Sequence, residues 1–451
     1  MSDERITIIL SDLHVGGGAA DPGDDHVYHD NQLVNYIKGL TASAEGQAGR
    51  FELFFNGDFF EFAQTATDLF AHESDSAWCT ESESLKKLEV IIKGHPDIFQ
   101  ALNEFQAAGN QVTIAAGNHD VDLYWDKVQE RIRAVAGGNT RFEIGKEWVE
   151  RYEGLLQIGH GHMVDPANSF KNWSKPLAQT HPGEARLEMC PGTLFMVKFV
   201  NPLEAQYPFA DNLVPVAKLA NALLRDDKSG FCGVAWAFGK FVATTSPIVL
   251  GKTPPDAYGK GLVNRFSTSE KRRGELNQAL RDHKLESEYG FADPAQVTED
   301  RLAQAMFALL GKLEEQRWRS LFELGSTTLS AGGGGMTLSK VVKSNFVNGK
   351  AETKEEAMRR AAEKQAQVVV MGHTHLPDTD TSGGVKYYNP GSWTRYLQLG
   401  REDSISLNDL KDESRYPYAL NVVRVERKEG ALSSSMICVD RFPPKAAPQH
   451  A

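Results

Sequence analysis

The stretch Val368-Val369-Val370-Met371-Gly372-His373-Thr374-His375 predicts a short buried strand that ends in two histidines. Three consecutive valines are typical of a strand covered on both faces. Gly372 either turns the backbone sharply or lets another group approach it closely. His373 and His375 follow in the loop as candidate metal ligands. A His-x-His pair alone is a weak signal, so the rest of the chain decides its meaning.

Four further predicted strands end in the same kind of side chain. Open α/β sheets bind ligands at the carboxyl ends of their strands, and we therefore expect these polar ends to meet at one place. They are Asp12 and His14 after strand 6–10, Asp58 after strand 51–56, Asn118, His119 and Asp120 after strand 111–116, and His160 and His162 after strand 155–158.

These side chains offer oxygen and imidazole donors without thiolates, a combination that suits Mn, Fe, Zn, Co or Ni. They are too many for one ion, and a two-metal site with a bridging carboxylate is the economical interpretation.

The order of the five blocks resembles that of the calcineurin-like metallophosphoesterases, over about residues 1–165 and 355–400. The blocks read Asp-x-His, Gly-Asp-x-x-Glu, Gly-Asn-His-Asp, His-Gly-His and Gly-His-x-His. The resemblance implies two divalent metal ions, with Mn²⁺ as the first choice. One ion would be held by Asp12, His14 and His375, the other by Asn118, His160 and His373, with Asp58 as the bridge.

The resemblance also implies the reaction. A hydroxide bridging the two metals would attack phosphorus in line, while His119 would assist the leaving group. Glu61 stands where the family usually has an Asp that orients this histidine, and we expect Glu61 either to serve His119 or to be a packing residue.

Three other residues near the blocks have open roles. Asp120 would orient a metal-ligand histidine or cap the following helix. His162 would contact a phosphate or support the ligands from outside. Arg395, close to the turn at 389–392, would meet substrate charge.

The predicted fold is an α/β (α+β) metallophosphoesterase β-sandwich flanked by helices. Residues 1–165 and 351–442 would form its two parts, and 443–451 a loose tail. Residues 166–350 do not continue the strand pattern and predict a large, mainly helical insertion that acts as a lid or cap. Since it emerges beside the metal-ligating loops, we expect it to set the specificity.

The substrate remains open: a phosphomonoester, a phosphodiester or a pyrophosphate, on a small molecule, a nucleotide or a lipid-linked compound. The residues of the blocks are similar to those of UDP-diacylglucosamine pyrophosphohydrolases, but the insertion is far longer here. A nuclease or cyclic-nucleotide phosphodiesterase is the alternative, and the net charge of −11 argues against it. A non-catalytic scaffold would be expected to have lost ligands, and none is missing.

Composition adds two expectations. Four scattered cysteines form no CxxC pair, which speaks against a structural zinc site and a disulfide framework and predicts buried thiols. The sequence shows no signal peptide and no transmembrane segment, so we expect a cytoplasmic protein, with peripheral membrane attachment left open.

Overall fold

The computed structural model describes residues 5–19, 21, 23–65, 78–178, 183–214, 217–227, 277–278, 281, 290, 350–398 and 405–442. Its strands are β1 (Ile6–Leu10), β2 (Phe51–Asn56), β3 (Gln111–Ala115), β4 (Arg141–Glu143), β5 (Val149–Arg151), β6 (Leu156–Ile158), β7 (Leu213–Val214), β8 (Val368–Val370), β9 (Asp378–Asp380), β10 (Lys386–Asn389), β11 (Leu397–Gln398), β12 (Tyr418–Lys428) and β13 (Ala431–Phe442).

The α-helices of the same residues flank these strands. They are α1 (Asp30–Ala42), α2 (Ala44–Gln47), α3 (Glu81–Gly94), α4 (Pro96–Ala107), α5 (Asp126–Ala136), α6 (Pro191–Phe195), α7 (Asn201–Glu204), α8 (Ala217–Asp226), α9 (Lys350–Lys364) and α10 (Leu407–Leu410). A break at residues 94–96 separates α3 from α4 because Pro96 begins a new helix at its first position. The sequence of the insertion also predicts helices at about 276–284 and 299–313; most of the first and all of the second lie outside the described residues.

Two sheets carry the five strands that end in the polar blocks. The first has the order β13-β12-β1-β2-β3-β4, and β1, β2, β3 and β4 run parallel in it. The second has the order β5-β6-β8-β10-β9, in which β6 pairs in parallel with β8. Strands about two hundred residues apart in sequence are therefore hydrogen-bonded neighbours, and their carboxyl ends lie at the same edge.

The triple valine of β8 is buried on both faces, as predicted. Val368 and Val370 pack between the two sheets in a cluster that includes Ile9 and Phe54 of the first sheet. Val369 faces the other way and packs against Ala357 and Ala361 of α9. A larger apolar cluster joins the outer face of the first sheet to helices α1, α3, α4 and α5. The predicted α/β sandwich flanked by helices is thus confirmed.

Several residues beyond the boundary predicted at residue 166 pack with the sandwich. Phe170, Trp173 and Leu187 are buried in the main core together with the helices of the first sheet. The backbone amide of Trp78 also donates to the carbonyl of Leu187 at 2.7 Å. These residues therefore bury their apolar surface in the sandwich domain.

A second, smaller core joins the start of the predicted insertion to a segment expected to belong to the sandwich. Its backbone connection is the parallel pairing of β7 with β11. Part of the range 351–442, which is expected to belong to the sandwich, thus packs with the start of the predicted insertion. The buried apolar residues of this smaller core are Val200, Leu203, Tyr207, Ala210, Leu213, Leu219, Ala222, Leu223, Leu407, Leu410 and Tyr416.

Two further findings bear on the expectations from composition. No helix among the described residues is long and apolar enough to cross a membrane. Cys79 and Cys190 are buried free thiols as expected, whereas Cys438 is exposed on β13. Cys232 lies outside the described residues.

A buried network of charges connects the chain after β1 to the junction between α3 and α4. His95 contacts Asp24 through Nε2 at 2.5 Å and Asp30 through Nδ1 at 2.6 Å. Asp30 also accepts a hydrogen bond from His26 Nδ1 at 2.7 Å. Burial alone would lower the pKa of His95, but the two carboxylates outweigh it and raise the pKa to about 9.

This network predicts a specific pH dependence of stability. A histidine with a pKa of about 9 when folded and 6.5 when unfolded stabilises the fold fully below pH 6.5, and the contribution disappears as the pH rises through 9. We expect the free energy of unfolding of the metal-free chain to fall by up to about 3 kcal/mol over this interval through His95. Urea denaturation of wild type and His95→Gln at pH 6.5 and 9.5 measures this fall. An equal fall in the free energy of unfolding of both proteins would contradict the prediction.

Candidate metal centre

The backbone at the strand ends adopts an unusual conformation at five of the predicted ligands. Asp12, His14, Asp58, His373 and His375 have φ values of 54°, 54°, 49°, 68° and 59°. Non-glycine residues rarely occupy this left-handed region, at a cost on the order of 1–3 kcal/mol each. The surrounding fold stabilises these strained positions, and such strain concentrates at functional sites.

The glycines within the blocks make room for the ligands. A Cβ atom at Gly372 would lie 2.0 Å from Ser11 Oγ and 2.8 Å from Asp12 Oδ2, so the close approach expected there is confirmed. A Cβ atom at Gly117 would lie 2.2 Å from Asp58 Oδ1 and 2.7 Å from His160 Nε2. Any larger residue at either position would displace a predicted ligand.

The first group of converging donors contains Asp12, His14, Asp58 and His375. One ligand atom from each lies within 4.8 Å of all the others. The Nε2 atoms of His14 and His375 are 3.1 Å apart, and His375 Nε2 lies 3.4 Å from Asp12 Oδ1. Two imidazole nitrogens and two carboxylates around one point form a donor set that fits a divalent transition metal.

The second group shares Asp58 with the first. Asp58, His160 and His373 also place one ligand atom each within 4.8 Å of one another, and His160 Nε2 is 3.0 Å from Asp58 Oδ2. Asn118 Oδ1 is buried and has no hydrogen-bond partner among the described residues. A buried acceptor without a partner is costly unless an unseen group binds it, so Asn118 fits as a further oxygen ligand.

The outer nitrogens of three histidines have partners that leave Nε2 directed at the clusters. His14 Nδ1 donates to Glu61 Oε2 at 2.7 Å, and His160 Nδ1 donates to the Asn56 carbonyl at 2.8 Å. His375 Nδ1 contacts the Tyr396 hydroxyl. Since a carboxylate and a carbonyl only accept, His14 and His160 carry their proton on Nδ1 and present a lone pair on Nε2.

Charge also favours cations at this site. Asp12, Asp58, Glu61 and Asp120 are all fully buried. Burial raises the pKa of Asp12, and burial together with the neighbouring Asp58 raises the pKa of Asp120 to about 7. Buried carboxylates close to one another are unfavourable without compensating positive charge, which metal ions provide.

His119 lies beside the clusters, next to the partner predicted for it. His119 Nδ1 donates to Glu61 Oε2 at 2.7 Å, the same oxygen that binds His14. Burial alone would lower the pKa of His119, but Glu61 and Asp58 raise it to about 10. Burial alone would raise the pKa of Glu61, whereas His119 and His14 lower it to about 2. Cations bound nearby would lower the pKa of His119 again.

The Asp120 side chain binds backbone amides in the loops at the strand ends. Its side chain makes no capping bond to the helical turn that follows. The carboxylate instead accepts backbone amides from two loops, that of Gly117 at 2.5 Å and that of Phe59 at 3.0 Å. Asp120 therefore joins the loop that carries Asp58 to the loop that carries Asn118.

His162 and Arg395 each pack against an aromatic ring. His162 is buried against Trp173, with ring centroids 4.4 Å apart, and burial lowers its pKa well below the usual range. Arg395 donates to the Glu413 carbonyl at 3.4 Å and lies over the Tyr418 ring. The roles expected for these two side chains stay predictions.

The sequence did not identify three residues that contact the ligands from outside. Asp165 and Asn168 follow the fourth block, and Tyr396 follows the turn at 389–392. An Asp-Pro pair such as Asp165-Pro166 favours the start of a turn, but nothing in its spacing indicates contact with a histidine about two hundred residues later.

Comparison with known proteins agrees with the geometry. Residues 293–413 match the sequence model of the calcineurin-like phosphoesterase superfamily domain. The match begins within the predicted insertion and includes the fifth block. No curated protein matches the chain. A solved structure of phosphopantetheinyl hydrolase from Mycobacterium tuberculosis aligns with 90% of this chain and 100% of its own at 11% identity, but with a TM-score of only 0.24.

The fifth block thus lies within a recognised family domain, and the fold brings the other four blocks to the same point. The chain contains a calcineurin-like phosphoesterase superfamily domain, matched over residues 293–413. It is a metal-dependent hydrolase of phosphoric esters, and its substrate is a phosphorylated compound.

The tight packing at Gly117 gives a test of the metal centre. In Gly117→Ala the new methyl group overlaps Asp58 Oδ1, and the forced shift should cost about 1–3 kcal/mol. We expect metal affinity to fall by at least about tenfold. Isothermal titration of the metal-free protein with Mn²⁺ measures the change.

Gly138→Ala is the matched control, because nothing lies within 4 Å of a Cβ atom there. Its Mn²⁺ affinity should equal that of wild type. Unchanged affinity in Gly117→Ala would mean that Asp58 is not a ligand.

Proposed function

We propose that the two donor groups hold two divalent cations, with Asp58 as the bridging carboxylate. Asp12, His14 and His375 would complete one site, and Asn118, His160 and His373 the other. The observation that supports this most directly is the presence of Asp58 in both groups of converging donors. Mn²⁺ is the first choice, and the donor types also allow Fe, Zn, Co or Ni.

We further propose that the chain hydrolyses a phosphomonoester, a phosphodiester or a pyrophosphate by in-line displacement at phosphorus. The bound cations would supply Lewis-acid stabilisation of the phosphoryl oxygens and a hydroxide nucleophile at neutral pH. The protein would hold both cations in a fixed arrangement, because the ligand backbones and ring tautomers are set before substrate arrives.

His119 is proposed to donate a proton to the leaving oxygen. Glu61 binds its Nδ1, so Nε2 is the nitrogen available to substrate. The side chain of His119 is 14% exposed while that of Glu61 is fully buried, which gives His119 access to a ligand in the cleft. Glu61 is a positioning residue here, since it acts through His119 and His14.

The smaller core borders the same side of the site. Asn201 Nδ2 donates to the Ala63 carbonyl at 3.1 Å, and Gln64 Nε2 donates to Glu204 at 2.7 Å. Residues 63 and 64 follow Glu61 directly, so the inserted segment contacts the loop that holds the proton donor. We propose that this segment caps the site and selects the leaving group.

The proposed substrate class remains a phosphorylated small molecule, a nucleotide or a lipid-linked pyrophosphate, the last because of the resemblance of the five sequence blocks. No observation among the described residues favours a nuclease. The cytoplasmic location stays a prediction.

An activity screen tests the reaction class. The purified full chain with added Mn²⁺ should hydrolyse at least one of para-nitrophenyl phosphate, its bis ester, a nucleotide-sugar pyrophosphate and single-stranded nucleic acid. Preference for the pyrophosphate would support the lipid-linked class, whereas preference for nucleic acid would support the alternative. Absence of turnover together with no metal by elemental analysis would overturn the proposal.

Two variants separate metal binding from proton donation. Asp58→Asn removes the bridging charge, so both metal content and activity should be lost. His119→Ala should retain two metals while turnover falls by about 10²–10⁴-fold, the usual contribution of a general acid.

The loss of turnover in His119→Ala should be smallest for substrates whose leaving group is already a weak base. Metal analysis and kinetics with nitrophenyl and alkyl phosphates measure these effects. Loss of metal in His119→Ala would contradict its role as a proton donor.

A further inference from the structure

The turn formed by residues 165–168 lies between two ligands of the second cation site, Asn118 and His373. Neither the family match nor the sequence blocks include this turn. We infer that Asp165 and Asn168 are positioning residues that fix which atoms of His373 and Asn118 face the cation. The inference rests on the proposed function, because it assigns the outer support of one of the two proposed sites.

Asp165 sets the tautomer of His373. Its Oδ2 lies 3.2 Å from His373 Nε2, and both side chains are nearly buried. The carboxylate is itself held by the Ala167 amide at 2.9 Å and by Asn168 Nδ2 at 2.7 Å. Because a carboxylate only accepts, His373 carries its proton on Nε2 and presents the lone pair of Nδ1. This arrangement is the reverse of that in His14 and His160.

The same carboxylate fixes two amides in succession. Asn168 must turn its NH₂ group toward Asp165, and its oxygen therefore faces Asn118. Asn118 Nδ2 donates to that oxygen at 3.3 Å, so Asn118 Oδ1 is left for the site. Amide orientation is set by such hydrogen bonds, and only the oxygen of an asparagine binds a metal. Asp165 thus orients one ligand directly and the other through Asn168.

The turn is held rigidly enough to serve this purpose. The Gly192 amide donates to the Ala167 carbonyl at 2.7 Å. A Cβ atom at Gly192 would lie 2.0 Å from Asn168 Oδ1, so the backbone at the start of α6 packs directly on the amide. Phe170 follows in the main core. The relay, meaning the series of hydrogen bonds from Asp165 through Asn168 to Asn118, is therefore attached to the sandwich domain and not to the smaller core.

The other cation site has a separate support. The outer nitrogen of His375 contacts the Tyr396 hydroxyl, and Tyr396 precedes β11, which pairs with β7 beside the smaller core. Changes in the 165–168 turn should consequently weaken one site, and changes at Tyr396 the other. A structural defect spread through the protein would weaken both.

Asp165→Asn is the sharpest variant because it preserves size. Its NH₂ group must replace one of the two carboxylate oxygens. It either faces His373 and Asn168, reversing the tautomer and the amide relay, or it faces the Ala167 amide and loses that bond. Asn168→Ala is the second variant; it leaves Asp165 on His373 and frees only the Asn118 amide.

The experiment titrates the metal-free full chain with Mn²⁺ by calorimetry and follows it by electron paramagnetic resonance. Wild type should bind two ions and show exchange coupling between them. Each turn variant should bind one ion with unchanged affinity and the other about 10- to 100-fold more weakly, with the spectrum of an isolated ion at intermediate Mn²⁺. The double variant Asp165→Asn, Asn168→Ala should lose less Mn²⁺-binding free energy than the two single variants together, since both residues act on the same ligand, Asn118.

Tyr396→Phe is the control for the opposite site. In combination with Asp165→Asn it should weaken both sites additively. Circular dichroism and thermal melting of the metal-free proteins show whether each variant is folded; if Asp165→Asn is not, Asn168→Ala decides. Two ions bound with wild-type affinity in folded Asn168→Ala would overturn the inference, because that variant cannot restore the bond to Asn118 by turning an amide. Absence of Mn²⁺ binding in wild type would instead overturn the proposed function.

Discussion

The parallel pairing of β6 with β8 is the interaction on which the site depends. Leu156, Gln157 and Ile158 align with Val368, Val369 and Val370, although about two hundred residues separate them in the chain. This register places the loop with His160 beside the loop with His373 and His375. Opposite them, the parallel strands β1, β2 and β3 end in Asp12, Asp58 and Asn118. The cluster therefore forms only when the chain on both sides of the insertion has joined the same sheet.

Buried charge explains why several loops contact Asp58 at the centre of the site. Asp58 accepts hydrogen bonds from the His119 amide at 2.9 Å and, on its other oxygen, lies 3.0 Å from His160 Nε2. Coulombic attraction to such neighbours keeps the pKa of Asp58 well below its ordinary value, although burial opposes this. Removal of a single partner would leave a charge in a low-dielectric interior, which is more costly than the same loss at the surface.

The sequence was sufficient for the parts of the fold and site that have a local signature. The valine run predicted a strand buried on both faces, and the glycine after it predicted the close approach of Ser11 and Asp12. The proximity of the predicted ligands followed from a general rule about strand ends. Glu61 was expected beside His119 from its place in a block, but its second bond to His14 was not, because a shared oxygen depends on side-chain rotamers.

Other features depended on packing that the pattern does not encode. Asp120 was expected at a histidine or a helix end, yet it accepts backbone amides from two loops. The domain boundary at 166 followed a change in strand periodicity, whereas the buried surface of Phe170 and Trp173 belongs to the main core. Segment 405–416 shows the converse, because Leu407 and Leu410 pack with Leu219 and Leu223 of the insertion. Periodicity identifies which face of an element is apolar, but not which other element covers that face.

The strained ligands and their fixed tautomers have a common physical consequence. Left-handed φ angles at Asp12, Asp58 and His373 are unfavourable in isolation, as are buried carboxylates that lie close to one another. Packing and the hydrogen bonds at the outer nitrogens of the histidines offset these costs. The cluster is therefore already arranged for cations. Cation binding then needs little reorganisation and offsets the repulsion among the carboxylates. Metal binding and folding are therefore linked, because a cation that binds only the folded chain stabilises it in proportion to that affinity.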